Sequence, residues 1–197
     1  MTIILASGSA ARKAMLENAG IPVTVRPSSV DERIVEAPLL AAGASPAEIA
    51  SALAEAKAVD VSLDEPGALV IGADQTLDLD GHRGTKSDSR EEARVQLARL
   101  AGRPHTLHSA VAVARDGEVL WSHRGSANLT MRSLTAGEID AYLDRVGDGV
   151  LKSVGVYQLE GEGIRLFESI DGDFFTILGM PLLPLLAYLR REGAISP

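Results

Sequence analysis

Apolar and polar positions along this chain follow two different periods, and the points where the period changes divide it into strands and helices. Thr2 to Ala6 is an almost unbroken apolar run of strand length. From Ala10 to Ala19 the apolar positions return at spacings of three and four, which marks a helix with one inward stripe. Gly20 follows in the helix-ending role. Pro22 to Pro27 reads as a second strand, and a polar loop holding Val30, Asp31 and Glu32 leads on to SPAEIASALAEAKA. There Ser45 as N-cap, Pro46 at the first helical position and Glu48 three residues on form a capping box, so a helix begins at that point.

The run ALVIGA, Ala68 to Ala73, is apolar throughout, as expected of a strand buried on both faces. Thr76 to Leu79 carries it outward to a tight turn at Asp80-Gly81. A helix is predicted from Arg90 to Leu100, closed by Gly102. His105 to Ala114 and Glu118 to Leu129 alternate as long strands joined by Asp116-Gly117, a hairpin signature. Thr135 caps a helix through Arg145, residues 147 to 163 are Gly-rich and irregular, GIRLFESIDG is strand-like, and MPLLPLLAYLRRE closes the chain as a helix. The order of elements predicts an α/β protein with a mixed, twisted sheet flanked by helices. No repeat or linker interrupts it, so residues 1–197 are read as one domain.

Bulk properties narrow the chemistry. The chain has 197 residues, enough to bury a core without cross-links, and no Cys, which removes thiol catalysis, Cys-bound zinc and iron–sulfur clusters. The first residues lack both a basic segment and an apolar run of signal-peptide length. Two Pro interrupt the later stretch Met180 to Leu189, which is too short for a membrane span. A cytoplasmic protein with no membrane association is expected. A net charge of −8, with only 19 Lys and Arg, argues against a nucleic-acid polymer as partner but leaves room for a small anion held by selected cations.

Several residues fit such a site. Ser7, Gly8 and Ser9 lie between a strand and a helix, where hydroxyls and unpaired N–H groups can cradle phosphate oxygens. Arg12 shares a stripe with Met15, Leu16 and Ala19. Its position suits either an alkyl stem lying over the core or a cation beside that cradle. Lys57, near the edge of the next helix's apolar stripe, has the same two readings. Asp74 follows ALVIGA directly, where open α/β sheets present ligand-binding groups. A carboxylate there can hold a metal, act as a general base or simply bond a turn. Glu32 can supply a second carboxylate, and oxygen ligands of this kind suit Mg²⁺.

Other motifs carry less. LDLDG at Leu77 to Gly81 resembles an aspartyl-phosphate motif but fits a hairpin turn better. His105 and His108 fall on opposite faces of a strand, which disfavours a histidine metal site. Lys86, in GTKSDS, is one of few cations near the Asp74 segment.

Together these segments resemble the Maf family of nucleoside triphosphate pyrophosphatases over essentially the whole chain. The matching pieces are LASGSAARKAMLENAGI, VDE at Val30 to Glu32, LAEAKA around Lys57, GADQ at Gly72 to Gln75, Lys86 before the EEA helix, RLAGRPH, and EGEGIRLFESIDGDFFTILGMPL. The resemblance implies hydrolysis of a nucleoside triphosphate to monophosphate and pyrophosphate, with Mg²⁺ or Mn²⁺, in a cleft between two lobes. It places Asp74 as proton acceptor for the attacking water and Ser7, Ser9, Arg12, Lys57 and Lys86 around the phosphates. Glu32, with Asp74, becomes the metal-linked acid. Gln75 and Glu160 match the branch that resembles 7-methyl-GTP pyrophosphatases, and Ala11 stands at a further substrate-selecting position. A second reading is a nucleotide-binding regulator of cell-division arrest. Apolar surface on the last helix would permit a homodimer.

Overall fold

The long apolar strand predicted at ALVIGA becomes the seam of the sheet. The computed structural model describes residues 2–196, so the two end residues of the expected 1–197 domain lie outside it. The strands are β1 (Ile3–Leu5), β2 (Thr24–Val25), β3 (Leu69–Leu79), β4 (His82–Gly84), β5 (Pro104–Arg115), β6 (Glu118–Met131) and β7 (Phe167–Asp171). The helices are α1 (Ala10–Asn18), α2 (Glu32–Ala41), α3 (Pro46–Asp64), α4 (Arg90–Leu100), α5 (Ala136–Val146), α6 (Phe174–Ile177) and α7 (Leu182–Arg191), with 3₁₀ turns at Gly147–Lys152 and Glu162–Leu166. The sheet order is β2-β1-β3-β5-β6-β7, with β4 paired to the far end of β3. β1 runs parallel to β2 and β3, and every other pairing is antiparallel. The mixed α/β sheet is therefore as expected.

β3 pairs with β1 only from Leu69 to Ile71. Beyond that, β1 has ended and its chain leaves the sheet as the Ser7–Ser9 loop, while β3 continues past Asp74 to Leu79. A crevice opens where one strand stops and its neighbour runs on. Two hydrophobic clusters flank it. One joins Leu5, Leu16, Ile71 and Leu185, and the other joins Leu97, Leu107, Leu129 and Tyr142.

α3 approaches the sheet unusually closely because its inward face is made of alanines. Ala50, Ala54 and Ala58 pack on Ala110, Ala112 and Ala114 of β5. At Gly72 of β3 a Cβ would stand 2.2 Å from the Ala54 carbonyl oxygen and 2.6 Å from the Ala58 nitrogen. Only glycine fits there. Both expected hairpin turns also form, with positive φ at Asp80 and Gly81 and at Asp116 and Gly117.

The structure departs from the expected pattern in several places, beyond adding the short elements β4 and α6. The polar loop after β2 contains helix α2, capped by Asp31, with Glu32 as its first residue. It escapes detection because Pro38 interrupts it and none of its residues is buried, so no apolar stripe announces it. The strand expected over Pro22 to Pro27 pairs only at Thr24–Val25. GIRLFESIDG begins as a 3₁₀ turn and becomes strand only at Phe167. Asp74 lies within β3, opposite Ala110 of β5, rather than at a strand end. Among the described residues no helix is long and apolar enough to cross a membrane.

His105 illustrates how burial tunes the core. Its Nε2 lies 2.7 Å from the Tyr157 hydroxyl, and burial lowers its pKa from 6.5 to about 4. The unfolded chain therefore binds this proton between pH 6.5 and 4 while the folded protein does not, so stability must fall on acidification through that window. The full effect is about 3 kcal/mol, at about 1.4 kcal/mol per pH unit. Urea denaturation midpoints measured from pH 7 to 4 should fall in wild type and fall less in His105→Gln.

Candidate active site

The loop between β1 and α1 holds an arginine in place. Ser9 caps α1, its Oγ accepting the Arg12 N–H at 3.4 Å. Ser7 Oγ accepts the Ser9 N–H at 3.3 Å and an Arg12 guanidinium N–H at 3.1 Å. On its other side Arg12 donates from Nε to the Gly179 carbonyl at 2.9 Å. Burial lowers the Arg12 pKa and the charges of Asp74 and Glu32 raise it, leaving a guanidinium that stays protonated. Lys13 plays a different part: it is exposed and pairs with Glu17 at 3.4 Å, one helical turn on.

A second constellation lies beside the first. Lys57, on α3, donates from Nζ to Asp74 Oδ1 at 2.7 Å and lies 2.6 Å from Glu32 Oε1. The close packing of α3 at Gly72 brings Lys57 to Asp74, two residues further along β3. Glu32 is placed by the Asp31 cap and by an ion pair of Arg83 with Glu36 at 2.6 Å, which ties α2 to β4. Burial would raise the Glu32 carboxyl, but Lys57, Lys86 and Arg83 outweigh it and hold the group below the usual carboxylate range. Glu32 thus stays ionised at neutral pH.

Ser7, Ser9, Ala11, Arg12, Glu32, Lys57, Asp74, Gln75, Lys86 and Glu160 all line one cleft of about 1180 Å³. The structure therefore brings together every site residue singled out from the sequence. Gln75 also braces the cleft wall, its Nε2 donating to Ser109 Oγ at 2.9 Å and to the carbonyls of Thr176 and Ile177 at 3.2 and 2.9 Å. Lys152, Tyr157 and Phe174 line the cleft as well, and nothing in the sequence pattern marks them. They come from the irregular stretch after α5 and from the short α6, where no period marks an inward face.

Among the described residues no three His, Cys, Asp or Glu side chains gather into a protein-only metal cage. Glu32 and Asp74 nonetheless converge on a single cationic atom, Lys57 Nζ, each within 2.7 Å. Two carboxylates able to share one cation present the oxygen donors that suit a Mg²⁺-type ion.

Comparison with known proteins finds relatives over nearly the whole chain. A 7-methyl-GTP pyrophosphatase of Brucella abortus is 56% identical over 98% of both chains, and one from Mesorhizobium japonicum is 58% identical over the same shares. A nucleoside triphosphate pyrophosphatase of Paramagnetospirillum magneticum is 52% identical over 98% of this chain and 100% of its own. A solved dITP/XTP pyrophosphatase from Mycobacterium abscessus overlaps at a TM-score of 0.42 with 19% identity, covering 74% of this chain and 95% of that one, too distant a likeness to bear on the site. The Maf-like protein family matches residues 2–192. With that span of nearly the whole chain, the protein belongs to the Maf-like family.

Proposed function

We propose that the cleft hydrolyses a nucleoside triphosphate to monophosphate and pyrophosphate by attack of water on the α-phosphorus, with Asp74 as proton acceptor. The observation that carries this reading is the Glu32–Lys57–Asp74 constellation beside the Ser7–Ser9–Arg12 cradle in one cleft. A protein that merely binds nucleotide has no need of a carboxylate fixed beside the phosphates, which disfavours the regulatory reading.

The charges support the same assignment. Arg12, Lys57 and Lys86 are offset by Glu32 and Asp74, leaving one net positive charge in the cleft against about −4 on a triphosphate. A Mg²⁺ or Mn²⁺ held by Glu32 and Asp74 would supply most of the missing charge and polarise the phosphoryl oxygens. Lys57 holds Asp74 in place through its 2.7 Å bond, so the carboxylate can accept a proton from water without first being ordered. Arg12 and Lys86 stabilise the charge that grows on the departing pyrophosphate, and Ser7 and Ser9 contribute neutral donors.

The base is read as 7-methylguanine. Glu160 lines the cleft, and a carboxylate can accept hydrogen bonds from guanine N1–H and its amino group while offsetting the positive charge of a 7-methylated ring. The names of the three similar proteins above point to the same class of substrate or to nucleoside triphosphates generally. The test is a panel of canonical and methylated triphosphates with Mg²⁺, assayed for both products. Glu160→Gln should lower kcat/KM for 7-methyl-GTP by roughly 10- to 150-fold, the range for hydrogen bonds to a charged group. Dominance of pyrimidine triphosphates in wild type would overturn this role for Glu160.

A further inference from the structure

Ala11 leaves the α1 wall of the cleft without a ring on which a base can stack. The structure offers one elsewhere. Phe174 is the first residue of α6, lines the same cleft and is 49% exposed; the adjacent Phe175 also lines the cleft but is partly buried, packed against the β1–α1–α7 cluster. The two rings meet at 75° with centroids 5.9 Å apart, an edge-to-face contact that restricts the tilt of Phe174.

α6 has only four residues, too few to hold itself in position, and the fold secures it from three sides. Asp173 Oδ1 accepts the Thr176 N–H at 2.9 Å. Ser109 Oγ of β5 donates to the Thr176 carbonyl at 2.7 Å, and Gln75 donates to the carbonyls of Thr176 and Ile177. Gln75 is the neighbour of Asp74 on β3, so the helix bearing Phe174 is fastened one residue from the proposed proton acceptor. Gly179, just beyond α6, accepts from Arg12. One short segment is thus tied both to the phosphate cradle and to the strand carrying Asp74.

We propose that Phe174 is the base-stacking side chain of this cleft and that Gln75 is its positioning residue. The proposal rests on the reading of the cleft as a nucleotide site. Stacking on a ring is open to any base, and a 7-methylated guanine, carrying positive charge, gains a cation–π attraction as well. Gln75 then influences base choice by holding α6 through its amide N–H rather than by contact with the base.

The test compares wild type, Phe174→Ala and Phe174→Tyr by calorimetric titration with 7-methyl-GMP, GMP and inorganic tripolyphosphate. Alanine should weaken 7-methyl-GMP binding by roughly 10-fold or more, as base–aromatic stacking commonly measures. It should weaken GMP binding by a smaller factor and leave tripolyphosphate binding unchanged, while tyrosine restores both mononucleotides. Equal affinity of wild type and Phe174→Ala for the mononucleotides overturns the stacking role. So does a parallel loss of tripolyphosphate binding, which would place the effect on the fold or the phosphate cradle. A wild type that binds none of the three probes instead overturns the nucleotide reading itself.

Discussion

Asp74→Asn is expected to lower turnover by at least ~100-fold with little change in thermal stability, on the scale usual for loss of a positioned acid–base group. Asparagine has the shape of aspartate, and its carbonyl oxygen can still accept from Lys57, which also keeps its pair with Glu32 at 2.6 Å. The packing of β3 between β1 and β5 is therefore unaffected. What disappears is the negative charge and the capacity to take a proton from water. Steady-state kinetics together with a thermal melt separate the two, and near-normal turnover in the variant would contradict the role given to Asp74.

Gly72→Ala should produce the largest loss of stability of any single methyl addition in the sheet. The new Cβ would meet backbone atoms of α3 at 2.2 and 2.6 Å, and backbone cannot rotate away as a side chain can. α3 must shift outward, opening its alanine contacts with β5, at a cost of about 2 kcal/mol or more. The same shift moves Lys57 away from Asp74, so kcat falls as well. Gly137→Ala on α5 is the control: its Cβ meets nothing within 4 Å, and helix propensity favours alanine. Urea denaturation of the two variants should give opposite signs. A Gly72→Ala protein as stable as wild type would mean that α3 does not lie as close to β3 as described.

Why so much of the site is legible in the sequence follows from where its residues stand. Ser7, Ser9 and Arg12 flank a strand-to-helix junction, and Asp74 directly follows the apolar run Ala68 to Ala73, so period and punctuation draw notice to both positions, while their roles come only with the family resemblance. Glu32 is visible as a carboxylate, but its helix is not, because α2 buries none of its residues and carries a proline. Lys57 can be placed on a helix edge, yet only the three-dimensional approach of α3 to Gly72 shows why its ammonium reaches two carboxylates. Gln75 reads from the sequence as a substrate contact. Its bonds to Ser109, Thr176 and Ile177 span up to 102 positions of sequence, a separation at which no local pattern operates. Phe174 escapes notice for a related reason, since a helix of four residues has no period to read.

The central claim, that water is delivered to the α-phosphorus, is tested most directly by hydrolysis in ¹⁸O-labelled water followed by mass spectrometry of both products. Attack at the α-phosphorus breaks its bond to the oxygen bridging to the β-phosphorus, which leaves with the pyrophosphate. The label should therefore appear entirely in the nucleoside monophosphate, with unlabelled pyrophosphate and no orthophosphate. Label in the pyrophosphate, or release of orthophosphate as the first product, would contradict that claim.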